Sequence, residues 1–493
     1  MGNLGGLVKK LRDIMRNDPG INGDAQRIEQ IVWMLFLKVY DAKEEDWEME
    51  DIYVSVLPEK YRWRNWAHEE NAGDGLTGDD LLDFVGKLFK DLKEMALTED
   101  MTIRESIVKS VFEDANQYMK DGVLLRQMVN VIDAIDLGSY ENIHALGDIY
   151  ESVLKGLQSA GSAGEFYTPR AVTDFMAERI EPKLGEKMAD FACGTGGFLV
   201  SWLKELEKQV HTPAERAQWA SSVHGIEKKQ FPYMLAITNL LLHDIDEPNI
   251  LHDNSLMKDV LDYTEKDCFD KILMNPPYGG SEKPSIQSHF PDDLADSETA
   301  DLFMSVIMYR LKKEGRAAVV LPDGVLFGTN NTKTNIKKKL LSEFDLHTII
   351  RLPGSVFSPY TSITTNLLFF DRTHPTKGIW FYRLDMPESY KHFSKTKPMK
   401  PEHFQPVREW WDHRQKIEEE GSPKAKYYAI EEIIEGGCNL DLCGFPHEEE
   451  EILEPLELIG KYQEKRASLN AEIDHVLEKI REILDKKQKT QDI

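Results

Sequence analysis

The feature that most constrains this chain is a rhythm. Between residue 164 and about residue 385, short β-branched or aliphatic runs alternate with helical segments. The runs are 188–192, 223–227, 249–252, 269–274, 317–321, 347–352 and 366–371. Strands alternating with helices predict an α/β fold, a mostly parallel sheet with helices on both faces. Ligands in such sheets bind at the carboxyl ends of the strands. Chemistry is therefore to be sought in the residues that follow each run.

After the first run comes Asp190-Phe191-Ala192-Cys193-Gly194-Thr195-Gly196-Gly197-Phe198, which then opens a helix. Glycines there let the chain turn sharply and let a ligand approach the backbone. No Gly-Lys-Ser/Thr follows, so this is not a phosphate-cradling Walker loop, and the third glycine of a full dinucleotide pattern is missing. Taken alone it could be a plain strand–helix turn, but its neighbours strengthen it. The second run ends in Glu227, and an acid there can accept both ribose hydroxyl protons of a nucleoside ligand. The third leads to Asp253, a candidate acceptor for an adenine amino group. Upstream lies Gly164-Glu165-Phe166-Tyr167-Thr168-Pro169-Arg170, a turn and helix start with Pro169 near the first helical position.

The fourth run is followed by Asn275-Pro276-Pro277-Tyr278-Gly279-Gly280. Consecutive prolines fix φ and donate no hydrogen bonds, so the turn is rigid. The Asn275 side-chain carbonyl and the Pro276 backbone carbonyl are two acceptors that can bind both protons of one amino group. Binding them draws the nitrogen out of conjugation and exposes its lone pair. Tyr278 offers a face on which a planar base can stack.

The rest of the chain is organised differently. Residues 1–150 read as a helical N-terminal domain, with three- and four-residue apolar spacing over 28–40, 80–95 and 119–135. Trp47, Trp63 and Trp66 could stack on a base, though packing is the commoner use of such residues. Residues 151–385 form the expected catalytic domain. Residues 386–450, rich in Pro, Lys and Glu, read as a connector. Residues 451–493 are expected to carry a long C-terminal helix. There Ile459, Tyr462, Leu469, Ile473, Val476, Ile480 and Ile483 make a coiled-coil-like seam interrupted by Arg466. Whether that seam meets a partner or packs on its own protein is open. Four cysteines are too few for a disulfide framework, and Cys438 and Cys443 lack a second Cys/His pair for zinc. No metal is expected. Cys193 and Cys268 read as buried thiols. No apolar run is long enough to cross a bilayer and the N-terminus lacks the apolar core of a signal peptide, so a cytoplasmic protein with no membrane contact is expected.

Net charge is −26, which would repel a polyanion from the chain as a whole. A basic partner is the simpler way to hold nucleic acid.

In their order, EFYTPR, DFACGTGGF, GIE and NPPY resemble the gamma-type amino-methyltransferases. The match is closer still to the modification (HsdM-type) subunit of type I restriction-modification systems. That resemblance spans nearly the whole chain, including LPDGVLFG (321–328), RLPGSVFSPYTSITTNLLFF (351–370) and the C-terminal helix. One departure is Phe191, where the family commonly has proline. The resemblance implies a Rossmann-like S-adenosylmethionine-dependent methyltransferase sheet with a helical N-terminal domain. It implies S-adenosyl-L-methionine as cofactor, contacted by Glu165, Phe166, Tyr167, Thr168, Pro169, Arg170, Thr195, Gly196, Gly197 and Glu227, with Asp190 and Asp253 as further candidates. Asn275, Pro276, Pro277 and Tyr278 would form the catalytic loop acting on N6 of an adenine flipped out of double-stranded DNA. Two such subunits would join one DNA specificity subunit, which reads the sequence, and a restriction/translocase subunit could accompany them. Other readings stay open: a glutamine-N5 protein methyltransferase, which can use the same NPPY loop, a non-catalytic cofactor-binding scaffold, or a solitary methyltransferase reading DNA with residues 386–450.

Overall fold

The computed structural model describes residues 4–49, 53–68, 75–96, 102–137, 140–159, 167–394, 396–419 and 422–444, with scattered positions between 459 and 481. Residues 1–445 form one compact unit and 446–493 a second. The strands of the first unit are β1 (Met188–Asp190), β2 (Val223–Glu227), β3 (Ile250–His252), β4 (Phe269–Met274), β5 (Leu311–Pro322), β6 (Asp345–Arg351), β7 (Thr365–Asp371), β8 (Gly378–Arg383), β9 (Ile417–Glu419) and β10 (Ser422–Ala429). They make one ten-stranded sheet in the order β3-β2-β1-β4-β5-β7-β6-β8-β10-β9.

The run from β3 to β5 is parallel throughout. Strand β7 is antiparallel to both β5 and β6, which returns β6 to the direction of β5, and β8 runs parallel to β6. The carboxyl ends of β1 to β6 and of β8 therefore lie at one edge of the sheet. Side chains alternate between two cores, as the two-residue period of a strand requires, except across the bulge in β6. On β7, Leu367 and Phe369 enter one core while Leu368 and Phe370 enter the other. Both faces are covered, so β7 reads as a continuous apolar run.

Helix Gly197–Glu207 and helix Gln230–Leu241 cover one face, and helix Thr299–Arg310 covers the other. The N-terminal helices share the first core: helix Asp24–Trp47 contacts helix Gln230–Leu241. Tyr150 Oη donates to the Leu235 carbonyl at 2.9 Å between the two regions. Trp47, Trp63 and Trp66 are all buried, in edge-on contact with neighbouring aromatic rings. They are core residues and offer no face to a base.

Two expectations change. The stretch 386–450 is more than a connector, because it supplies β9 and β10, with Ala425 paired to Tyr382 of β8. Trp410, in the same stretch, packs on Trp380 and Tyr382. Edge strands are typically charged on their open side; β9 is the edge here and β10 its neighbour, and their polarity hid both in the sequence. Cys268 is half-buried, since it lies in the loop before β4, while Cys193, Cys438 and Cys443 are buried and all four are free.

The described positions between 459 and 481 are helical, with Ile459, Tyr462, Leu469 and Ile473 exposed. Val476, Ile480 and Ile483 lie outside the described residues. Among the described residues no helix is long and apolar enough to cross a membrane, and no cluster of three or more His, Cys, Asp or Glu could hold a metal.

Candidate active site

The glycine-rich turn leaves the carboxyl end of β1 and is tied to its neighbour β2. Glu227 ends β2 and turns back on the turn: its Oε2 accepts the Gly194 N–H at 2.9 Å and its Oε1 accepts the Lys229 N–H at 2.8 Å. Burial pushes the Glu227 carboxyl above the ordinary glutamate value, and the two backbone donors oppose that rise. Asp190, fully buried at the end of β1, accepts the Ala192 N–H at 3.1 Å. Burial drives its pKa well upward, and the Glu227 charge adds to this. Two buried carboxyls with spare lone pairs make a place that favours donors and positive charge.

Two glycines are required by the backbone itself. Gly194 has φ +54 and Gly196 has φ +75, the left-handed region that disfavours a side chain. Gly197 is required for a different reason: a Cβ there would come within 2.0 Å of Arg170 Nη1.

That guanidinium belongs to the segment around Tyr167-Thr168-Pro169-Arg170. Glu151, on helix Tyr140–Lys155, holds both ends of it. Its Oε1 accepts from Tyr167 Oη and its Oε2 from Arg170 Nε, each at 2.8 Å. Pro169 caps helix Arg170–Arg179. Nη1 and Nη2 of Arg170 are buried without a partner. Glu165 and Phe166 lie outside the described residues.

The second loop leaves the carboxyl end of β4, one strand over from β1. Asn275 Nδ2 donates to Thr168 Oγ1 at 3.1 Å. Its Oδ1 is buried and accepts nothing among the described residues. Native interiors rarely leave a polar atom unpaired, so this acceptor is poised for a ligand donor. Asn275 lines a cavity of about 420 Å³ together with Tyr167, Glu227, Asp253, Pro276, Pro277 and Tyr278. A narrow pouch behind it is bounded by Thr168, Asp190, Thr195, Gly197 and again Asn275. Pro169, Arg170 and Gly196 line neither space. Burial keeps the Tyr278 phenol neutral by raising its pKa. Asp253 sits where β3 ends, its N–H donating to the Glu227 carbonyl at 3.1 Å.

Several residues here were not singled out in the sequence. Phe357 and Tyr360, from the loop between β6 and β7, form part of the cavity wall, and Phe303 adds to it from helix Thr299–Arg310. Lys228 and Glu282, both at the cavity, meet at 3.3 Å. The spacing of Phe357 and Tyr360 carries no signal, because they reach the cavity only after β7 folds back between β5 and β6. Glu151 had none either, standing on an amphipathic helix like any surface acid.

A nucleoside-sized cavity at the carboxyl edge of a parallel sheet, entered by an Asn-Pro-Pro-Tyr loop with a free carbonyl, defines an amino-group methyltransferase. Residues 141–452 match the N-6 DNA Methylase family, and the chain belongs to it. Residues 4–132 match the HsdM N-terminal domain. More particularly, this is a type I methylase subunit. It is 46% identical to the type I restriction enzyme EcoEI methylase subunit of Escherichia coli, over 98% of each chain. It is 28% identical to the EcoKI methylase subunit of Escherichia coli strain K12, over 82% of this chain and 75% of that one. Among solved structures, a chain from a study of assembly and conformational transition in the type I R-M system superposes with a TM-score of 0.80. That chain is 31% identical, with 98% of each chain covered.

Proposed function

We propose that this chain transfers a methyl group from S-adenosyl-L-methionine to N6 of an adenine flipped out of double-stranded DNA. The observation that carries the reading is Asn275, a residue of the cavity wall: its amide N–H is tied to Thr168 and its carbonyl oxygen has no donor among the described residues.

The residues present suit the cofactor. Glu227 has lone pairs left for two ribose hydroxyls, and the upward push of burial on Asp190 and Glu227 favours ligand donors and cationic groups nearby. Thr195 and Gly197 would bring backbone to the cofactor's amino-acid end, with Tyr167 and Thr168 walling that side and Gly196, Pro169 and Arg170 supporting them from outside the two spaces. Glu165 and Phe166 are proposed from the motif alone. Asp253 would accept from the cofactor's adenine amino group. When bound, S-adenosyl-L-methionine supplies an electrophilic methyl group on a cationic sulfur.

This chain's own work is to prepare the nucleophile. Asn275 Oδ1 and the Pro276 carbonyl accept the two amino protons of the target base, so the nitrogen lone pair leaves the ring conjugation and points outward. The Pro276-Pro277 turn fixes both acceptors before the base arrives, which is preorganisation in the sense that matters for rate. Tyr278 stacks on the base, with Phe357 and Tyr360 bounding the same cavity. Flipping is required because the amino group of a stacked base cannot reach a buried acceptor.

The chain acts as the modification subunit of a cytoplasmic type I complex. Two copies join one DNA specificity subunit through the C-terminal helix, and a restriction/translocase subunit completes the restricting form. The division into residues 1–150, 151–385, 386–450 and 451–493 is retained as a functional scheme, with 386–450 adding its strands to the catalytic sheet.

Tritiated methyl transfer to genomic DNA, with the chain alone and with its specificity subunit, tests this after nucleoside analysis. N6-methyladenine that depends on the partner is the expected result. Label on protein and none on DNA would favour the glutamine reading and defeat this one.

A further inference from the structure

The segment after β8 is the one strongly basic stretch beside the site. Residues 391–400 read KHFSKTKPMK, with four lysines and no acid, in a chain whose net charge is −26. It leaves the carboxyl end of β8, where Arg383 is in register with Arg351 of β6, and so lies at the sheet edge that bears the cavity.

The segment is built, not trailing. Phe393 and Met399 are buried in the first core, the core that also holds Val356 and Phe357. Ser394 and Lys397 exchange both backbone hydrogen bonds, at 3.0 and 3.1 Å, which closes the stretch into a tight turn. The Phe393 N–H donates to Ser355 Oγ at 2.9 Å. Ser355 holds φ +70, unusual for a residue with a side chain, and it precedes Phe357 of the cavity wall by two positions. Buried anchors thus fix the backbone while Lys391, His392 and Lys397 remain exposed. Lys400 is exposed too and pairs with Glu402 at 3.4 Å. Lys397 Nζ lies 5.5 Å from the Tyr390 ring centroid and, among the described residues, pairs with no carboxylate.

We propose that this turn is a phosphate clamp: Lys391 and Lys397 contact the duplex backbone beside the flipped nucleotide. The inference rests on the DNA reading above and deepens it. Fixed lysines next to a base-sized cavity suit the phosphodiester backbone, which flanks any flipped base whatever its sequence. They also let an acidic chain hold DNA at the one place where it must.

The test uses the full chain assembled with its specificity subunit and a fluorescent DNA duplex, with binding measured across a salt series. Each phosphate contact adds about 0.9 to the slope of log affinity against log salt. The variant K391Q/K397Q is expected to lower that slope by about 2 and to weaken target and unrelated duplexes equally, because phosphate contacts carry no sequence information. K391R/K397R keeps both charges and should keep the wild-type slope. An unchanged slope in the glutamine variant overturns the proposal, as does loss of subunit assembly in place of a slope change. Binding is read without turnover, so wild-type complex that binds DNA yet leaves it unmethylated would sink the methyl-transfer reading alone.

Discussion

Asn275 and Thr168 stand 107 residues apart in the chain, yet the side-chain amide of one donates to the hydroxyl oxygen of the other at 3.1 Å. The bond decides which end of the amide is engaged. With Nδ2 engaged, Oδ1 is the atom left unpaired, and an acceptor is what an incoming amino group needs. Thr168 belongs to a segment read as cofactor-binding, so this contact couples the two loops at the level of single atoms.

Thr168→Val removes the partner and frees the amide to turn. Misplacement of about 1 Å at a reacting group costs on the order of 100-fold, so kcat should fall by about that factor. Thr168→Ser, which keeps the oxygen, should retain most activity. Single-turnover methyl transfer reads both, and a valine variant as fast as wild type would remove Thr168 from any positioning role.

Glu227 sets a pH dependence for the cofactor. In the proposed role its ionised form would accept the two ribose hydroxyl protons, and burial raises its pKa above the ordinary 4.5. Cofactor affinity should therefore hold at neutral pH and fall as pH drops through that raised value, earlier than an exposed glutamate would allow. Calorimetric titration across acid pH checks this. Glu227→Gln should bind more weakly and show a flatter profile.

Glu151→Ala strips the ion-paired carboxylate from Arg170, whose side chain is 12% exposed. Breaking a buried ion pair from one side costs about 3–5 kcal/mol. A clear fall in Tm is expected, together with weakened cofactor binding, since Tyr167 loses its partner at the same time. A Tm within experimental scatter of wild type would contradict the account of this segment.

Asp41 lies far from the site and predicts a stability effect. Burial lifts its pKa from 3.8 to about 6. A raised acid stabilises the fold fully below its unfolded value, and that contribution is lost as pH rises through the folded value. Over the window from 3.8 to about 6 the change amounts to about 3 kcal/mol. Asp41→Asn, which does not titrate, should gain on wild type by that order as pH climbs through the window in thermal unfolding.

Tyr360→Ala addresses the cavity wall. Loss of an aromatic partner for a base costs about 1–3 kcal/mol, which should appear as a raised KM for DNA with cofactor affinity unchanged. A fluorescent base analogue at the target position reports the same loss as weaker flipping.

Much of the catalytic edge was legible in the sequence because it is local. The runs 223–227 and 269–274 coincide with β2 and β4, and the glycine and proline turns act on their own backbone. A left-handed φ at Gly194 or a fixed φ at Pro276 needs no distant partner. The edge strand β9 and its neighbour β10 were missed because their polar residues resemble a loop, and β8 because its partner β6 lies beyond β7 in the sequence.

What the sequence by itself determined was the strand–helix alternation, the two turns and the residue types that meet a nucleoside. Only the tertiary structure decided that Thr168 orients Asn275, that Glu151 clamps Tyr167 and Arg170, and that Phe357 and the lysine turn reach the same edge. Those relationships depend on strand order, above all on β7 running antiparallel between β5 and β6. Strand order is a property of long-range packing that no local propensity encodes.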